Sequence, residues 1–329
     1  MKELVSPETD VRVAWLSAAG LSENEVAGWI ADLDAALATG SERASMEQEL
    51  EQAGGILRRG RAFLDSLPLK SQRNSPVRAA GETVVDAMAE LCERVFRVHR
   101  ESMYARLTGN YERFLRVDDL VWRAAEQWPG LLPSREEVRA EQARMQMDKD
   151  GLEIHQGIFL SHVFTECRAG LHLLKAMLRP KEESVELLPE FVERGRVDLG
   201  TVRVEVRGQV GYVSFGNPGF LNAEDETLIE PQETAIDLVL LHPDVKMGVL
   251  RGDVVEHPRY RGRRVFDAGI NLTKIYHGQI GYVSFYIARD LGLVNKLYRG
   301  LVVEEWEDDE PENTVEKPWL AANRKALRV

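Results

Sequence analysis

Phe266-Asp267-Ala268-Gly269-Ile270-Asn271-Leu272 is an apolar approach, a pair of small residues and the opening of a helix pattern. A small-residue turn that opens into a helix aims backbone N–H groups outward, and such groups bind anions. The stretch follows a strand-like run, Val245 to Leu250, and a basic loop, His257 to Arg264. Further upstream, Val202 to Arg207 alternates apolar with charged residues, as a half-exposed strand does. Gly208-Gln209 predicts a hairpin turn, and Val210 to Phe215 the return strand, ended by Gly216-Asn217-Pro218-Gly219. Glu224 to Leu241 has helical spacing through Leu228, Ile236, Val239 and Leu240. Leu272 to Gly300 reads as largely helical, with Ile275, Ile280, Val283, Ile287 and Leu291 inward. Glu304 to Glu312 reads as a solvated acidic loop, and Val315 to Ala322 as a buried strand.

Residues 1–197 have a different character and read as helices. Val26, Trp29, Ile30, Leu33 and Leu37 lie at helical spacing in 21–37, with Ser22 and Glu25 as a candidate capping box. Pro76 to Leu107 carries a stripe through Val84, Val85, Met88, Leu91, Val95 and Val98. Ser134 and Glu137 form another capping box, predicting a helix over 136–147, and Gly151 to Leu178 continues the pattern. Breaks are expected at Gly54-Gly55, Leu67-Pro68, Trp128-Pro129-Gly130 and Arg179-Pro180. The predicted organisation is a helical domain over 1–197 and an α+β or α/β domain over 198–329.

With 44% hydrophobic and 29% charged residues in 329, the chain has an ordinary globular composition. Its net charge of -12 opposes nucleic acid or an anionic membrane as main partner, while a local basic patch can still hold a phosphate. Two distant cysteines, Cys92 and Cys167, fit a reducing compartment. The sequence starts without an apolar signal core and has no stretch apolar enough to span a bilayer, so a cytoplasmic location is expected. His155, His162, Glu166, Cys167 and His172 are potential metal ligands. Their spacing does not make a tight set, and they read as interior or interface helix residues.

Three segments occur in a fixed order: Gln209-Val-Gly-Tyr-Val-Ser-Phe-Gly-Asn-Pro218, then Phe266 to Leu272, then Glu316-Lys-Pro-Trp-Leu-Ala-Ala322. Together they resemble the crotonase (enoyl-CoA hydratase/isomerase) superfamily, whose core polarises acyl-CoA thioesters. The resemblance implies the first half of a ββα spiral core after the helical domain. Further motifs narrow it: the turn Gly216 to Glu226, the loop His257 to Arg264, and the Tyr286-Ile-Ala-Arg-Asp-Leu-Gly292 helix. With the helical domain, these are similar to the superfamily's cofactor-independent dioxygenases of glycopeptide-antibiotic biosynthesis. The activity implied converts (3,5-dihydroxyphenyl)acetyl-CoA and O2 to 3,5-dihydroxyphenylglyoxylate and CoA, without metal or flavin, on the way to dihydroxyphenylglycine. The implied partners are the thioester and O2, and the implied assembly is a trimer pairing into a hexamer.

By the same resemblance, the Ile270 N–H is one oxyanion-hole donor, and Ala268, Gly269 and Asn271 line the CoA and substrate. Arg289 falls in the pocket near the ring hydroxyls, Glu224 and His257 in substrate-contacting positions, and Arg259 and Arg261 on a loop suited to CoA phosphates. Residue chemistry alone leaves alternatives open. Ala268 to Leu272 also suits an ordinary strand–helix turn, and Arg289 a surface arginine paired with Asp290. Glu224 also suits a first-turn helix carboxylate, and His257 to Arg264 a solvated basic loop.

The pattern's second oxyanion donor belongs to a glycine-rich turn after the Lys-Pro-x-x-Ala-Ala strand. No glycine follows Ala322, where Asn323-Arg-Lys-Ala-Leu-Arg-Val329 stands instead. The resemblance therefore implies a core that departs from the pattern at its C-terminal side. Alternatives are another crotonase-type hydratase or thioesterase, or an inactive truncated product.

Overall fold

The computed structural model describes residues 16–17, 19–38 and 45–302, and the backbone of 326–328. The strand expected over 315–322, the acidic loop expected over 304–312 and the Ala322 position lie outside the described residues. The chain divides into two compact units, 1–113 with 118–170 and 276–279, and 114–117 with 171–275 and 280–329.

The first unit is helical. It contains α1 (Glu23–Ala38), α2 (Met46–Ser66), α3 (Ser75–Thr108), α4 (Val117–Gln127, whose first residue belongs to the second unit), α5 (Arg135–Gln142) and α6 (Glu153–Thr165). The long α3 is specified at both ends. Asn74 accepts the Val77 N–H at its start, Pro76 fits the first turn, and Gly109 closes it in the left-handed region (φ 62°). Its buried stripe packs against α2 and α6 around Trp29, Phe96, Tyr104 and Phe159. Ser134 and Glu137 form the capping box of α5, but that helix stops at Gln142 rather than 147.

Two expected features differ. Gly54-Gly55 does not break the chain: α2 runs through it, and a side chain at Gly54 would stand 2.8 Å from the Pro129 carbonyl oxygen. The glycine permits close approach of α2 to the Pro129-Gly130 turn. The helical pattern of 151–178 is interrupted at Glu166, which ends α6 in extended backbone and receives the Arg168 and Ala169 N–H groups at the start of α7 (Cys167–Leu178).

Inside this unit His155 is 3% exposed. Burial first, and the nearby Arg61 charge second, pull its imidazole down from 6.5 to about 4. The unfolded chain therefore binds that proton first as the pH falls. The stabilisation is complete above 6.5 and is lost towards 4. His155→Leu is expected to remove on the order of 3 kcal/mol of the stability difference between pH 7 and pH 4. Urea unfolding of both proteins at the two pH values checks this; parallel pH profiles would reject it.

The second unit is a small sheet with helices. α8 (Glu182–Arg194) leads into β1 (Arg196–Asp198), β2 (Val202–Arg207) and β3 (Val210–Phe215). Then come α9 (Glu226–Leu241), β4 (Met247–Gly252), α10 (Leu272–Tyr276), a wide π-helical stretch over 282–294, α11 (Asn295–Arg299) and β5 (Ala326–Arg328). Strand order follows the chain, β1 to β5. β1–β2 and β2–β3 are antiparallel, while β3–β4 and β4–β5 are parallel. The hairpin turn at Gly208 stands at φ 61°, as its sequence predicts. β3–α9–β4 is a βαβ unit.

The alternation of β2 sorts its side chains. Val202, Val204, Val213, Phe215 and Leu250 bury one sheet face against Leu228, Ala235, Leu238 and Val239 of α9. α8 adds Phe191 to the same core, so this last helix of the predicted N-terminal region packs in the sheet-bearing unit. Arg203, Glu205, Tyr212, Ser214 and Arg251 line a groove of about 1210 Å³ on the other face. The fold is thus a mixture of helices and a small sheet, α+β in class.

Candidate active site

In open parallel sheets, ligands bind beyond the carboxyl ends of the strands. Two segments leave those ends here, 216–225 after β3 and 253–271 after β4. They are joined by side chains of the Asn217 to Asp225 turn. Asn222 is fully buried, stands at φ 59°, and donates from its amide to the Asp253 and Val265 carbonyls at 2.8 Å each. Gly252 lets the returning chain press close: an added Cβ would lie 1.9 Å from the Val265 carbonyl oxygen. Asp225 is the N-cap of α9, with the Thr227 N–H at 3.0 Å from Oδ1. Its other oxygen accepts from Asn217 (2.9 Å) and Asn271 (3.0 Å). Buried polar groups satisfied in this way fix both loops.

On this frame Glu224 and Ile270 face one another as an isolated parallel bridge. The Glu224 N–H donates to the Gly269 carbonyl, and the Asn271 N–H donates to the Glu224 carbonyl, both at 2.8 Å. The N–H of Ile270 belongs to the same peptide group as the Gly269 carbonyl. In a planar trans peptide the two point in opposite directions. The Ile270 N–H is therefore turned away from the bridge, while the Ile270 side chain packs against the cluster of Ile229, Ile236, Phe285 and Leu293.

The Glu224 side chain extends to Arg289, whose Nε donates to Oε2 at 2.6 Å. Arg289 Nη1 also reaches Asp290 at 2.8 Å. Burial raises the Glu224 carboxyl above its ordinary value, although the Arg289 bond and charge pull the other way. Asp267 is raised by burial too, against its bond from the Gly269 N–H and the Arg289 field. The result is a half-buried guanidinium gripped by a carboxylate, next to a turn carrying an outward amide. Such a set can hold a carbonyl oxygen and exchange hydrogen bonds with hydroxyl groups.

The structure thus brings Glu224, Gly269, Ile270, Asn271 and Arg289 together. Glu224 lies before α9, not in its first turn, so the helix-dipole alternative falls away. Arg289 pairs with Asp290, as the surface reading has it, and with Glu224 as well. Ala268 and Gly269 are exposed. His257, Arg259 and Arg261 stand apart: among the described residues no hydrogen bond or ion pair joins them to Glu224, Ile270 or Arg289. His257 accepts the Arg259 N–H at 3.2 Å, and the arginine side chains are exposed. The groove on the open sheet face does not include the Glu224 cluster.

The metal-ligand candidates also separate. His162 bonds Glu93 at 2.6 Å, His172 stacks on Phe114 with ring centroids 4.5 Å apart, and Glu166 caps α7. Asn217, Asn222 and Asp225 lie in the Gly216 to Glu226 turn, where the sequence alone assigns their side chains no roles. The available signal was asparagine in a tight turn, a residue type that tolerates left-handed backbone.

No protein-family model matches the chain. Over 261 residues it is 44% identical to a (3,5-dihydroxyphenyl)acetyl-CoA 1,2-dioxygenase of Amycolatopsis orientalis. The alignment takes in 79% of this chain and 59% of that relative, so the chain spans about three fifths of that relative's length.

Proposed function

Proceeding from that similarity, we propose that the chain carries the thioester-binding part of a cofactor-independent (3,5-dihydroxyphenyl)acetyl-CoA dioxygenase with a crotonase-like core. The observation that carries the reading is the Glu224–Ile270 bridge, which leaves the Ile270 N–H directed away from regular pairing. In this reading that amide donates to the thioester oxygen as the α-proton leaves, stabilising the enolate. Arg289 and Glu224 bind the ring hydroxyls, and Ala268 and Gly269 lie along the CoA arm. His257, Arg259 and Arg261 meet its phosphates.

The chemistry balances without an added reductant. The enolate passes an electron to O2, and recombination places a peroxide on the α-carbon. The peroxide attacks the thioester carbonyl and expels CoA thiolate. Breakage of the O–O bond with loss of the second α-hydrogen leaves the 2-oxo acid with both oxygen atoms of O2. The protein holds the enolate, orients the ring and excludes water.

Binding provides the test. Arg289→Ala is expected to weaken (3,5-dihydroxyphenyl)acetyl-CoA about 10- to 100-fold, the worth of hydrogen bonds to a charged group, and to leave phenylacetyl-CoA nearly unchanged. Arg259→Ala should weaken both thioesters alike and by less. Titration calorimetry with the two ligands decides; equal loss for both with Arg289→Ala would remove it from the ring pocket.

A further inference from the structure

Arg289 sits on an unusual helix. Tyr282–Ile287 and Arg289–Val294 are wound with i→i+5 bonding, a rare form found mostly at functional sites. Burial in the stretch fits both windings: Val283, Ala288 and Leu293, five apart, are 2%, 4% and 3% exposed, and Ala288, Gly292 and Lys296, four apart, are buried as well. Ile287 and Leu291, which the sequence places inward, are partly exposed.

One acidic stripe on α9 holds both ends of the segment. Glu226 accepts the Gly281 N–H at 3.0 Å and the Ser284 hydroxyl at 2.9 Å. Glu233 and Asp237, farther along the same helix, grip Lys296, whose Nζ lies 2.7 Å from one carboxylate and 2.8 Å from the other. Lys296 is 0% exposed, and Arg116 completes the cluster at 2.6 Å from Glu233. Between Arg289 and Lys296 the wall is tight: a Cβ on Gly292 would stand 2.9 Å from the Glu233 carboxylate.

Residues on an α-helix advance by roughly 100° each, and on a wide i→i+5 helix by roughly 80°. Over the wide residues from Arg289 to Val294 the difference accumulates to roughly a third of a turn. Once Lys296 is fixed, the winding therefore decides where Arg289 points.

We infer that Lys296, locked between Glu233 and Asp237, is a positioning residue that sets the register of the wide helix and so holds Arg289 against Glu224. The importance of that placement for ring recognition rests on the proposed function; the placement itself does not.

The test uses the charge-balanced variant K296M/D237N, which removes the tether without leaving a lone buried carboxylate, and Gly292→Ala, which crowds the cluster while keeping Lys296. The probe is the Nε–Hε resonance of Arg289 in a 1H–15N spectrum, identified by its loss in Arg289→Lys. The Nε of Arg73, bonded to the Pro68 carbonyl in the other unit, is the internal control. Expected are a displaced Arg289 signal in the parent protein, its collapse into the exposed-arginine region in K296M/D237N, a smaller shift in Gly292→Ala, and an unmoved Arg73 signal. An Arg289 signal at the parental position in a folded variant overturns the inference, as does a parent protein whose Arg289 signal is already that of a free side chain. Titration with (3,5-dihydroxyphenyl)acetyl-CoA and phenylacetyl-CoA separates the two claims. Loss of the preference in K296M/D237N, about tenfold in the parent, supports both. A parent protein without preference, but with an Arg289 signal that moves, upholds the positioning role and refutes the ring-pocket reading.

Discussion

Replacing Ile270 by proline is expected to slow exchange of the thioester α-protons by about 100- to 1,000-fold, the usual cost of one oxyanion donor. Proline has no N–H, so the substitution deletes the proposed contact. It also fixes the local backbone and removes the Ile270 packing against Ile229, Ile236, Phe285 and Leu293. Ile270→Ala, which keeps the amide, separates the loss of packing from the loss of the donor. The two hydrogen bonds of the bridge use the Gly269 carbonyl and the Asn271 N–H, and both survive. Ile270→Val keeps the amide and most of the apolar packing and should exchange at close to the parental rate. The measurement is deuterium uptake at the α-carbon of (3,5-dihydroxyphenyl)acetyl-CoA in D2O, followed by mass. Equal rates for the proline and valine proteins would dispose of the oxyanion role.

The second large effect concerns stability. Arg73 is joined to Asp150 by two bonds, 2.7 and 2.9 Å, with side chains 3% and 4% exposed. A third bond from Nε reaches the Pro68 carbonyl at 2.9 Å. Arg73→Met leaves the Asp150 carboxylate buried with, among the described residues, Arg144 as its remaining ion-pair partner, at 3.9 Å. Removing one partner of such a pair costs about 3–5 kcal/mol, whereas replacing both by apolar residues is often close to neutral. Arg73→Met should therefore unfold at much lower urea, and Arg73→Met with Asp150→Leu should recover most of the loss. A double variant as weak as the single one would show that the bond to Pro68, not the ion pair, holds this corner.

Much of the second unit is legible in the sequence. The Val202 to Phe215 hairpin was fixed by alternation and by Gly208, both local properties. The helix before β4 was legible from its period, though its start moved from Glu224 to Glu226 because Asp225 takes the cap. That small shift matters: it frees Glu224 to bridge Ile270. Over Leu272 to Gly300 the α period places Ile280, Val283, Ile287 and Leu291 inward; the first two are buried, while the last two, within the wider winding, are partly exposed. Period-based reading assumes one helix geometry, so it cannot register the change. Lys296 was invisible for a different reason. A lysine on a helix is almost always solvated, and only the carboxylates of a distant helix make its burial tolerable.

By itself the sequence determined the locally encoded parts: the capping box of Ser134 and Glu137, the hairpin, the order of strands and helix around β3 and β4, and the small-residue turn at Ala268-Gly269. These depend on backbone propensity and on side-chain periods within a few residues. The tertiary structure alone decided that Glu224 meets both Ile270 and Arg289, and that His257, Arg259 and Arg261 do not join them. Those pairings link residues as many as 65 positions apart. They exist because buried amides and carboxylates must find partners wherever the packed chain supplies them, which no local pattern encodes.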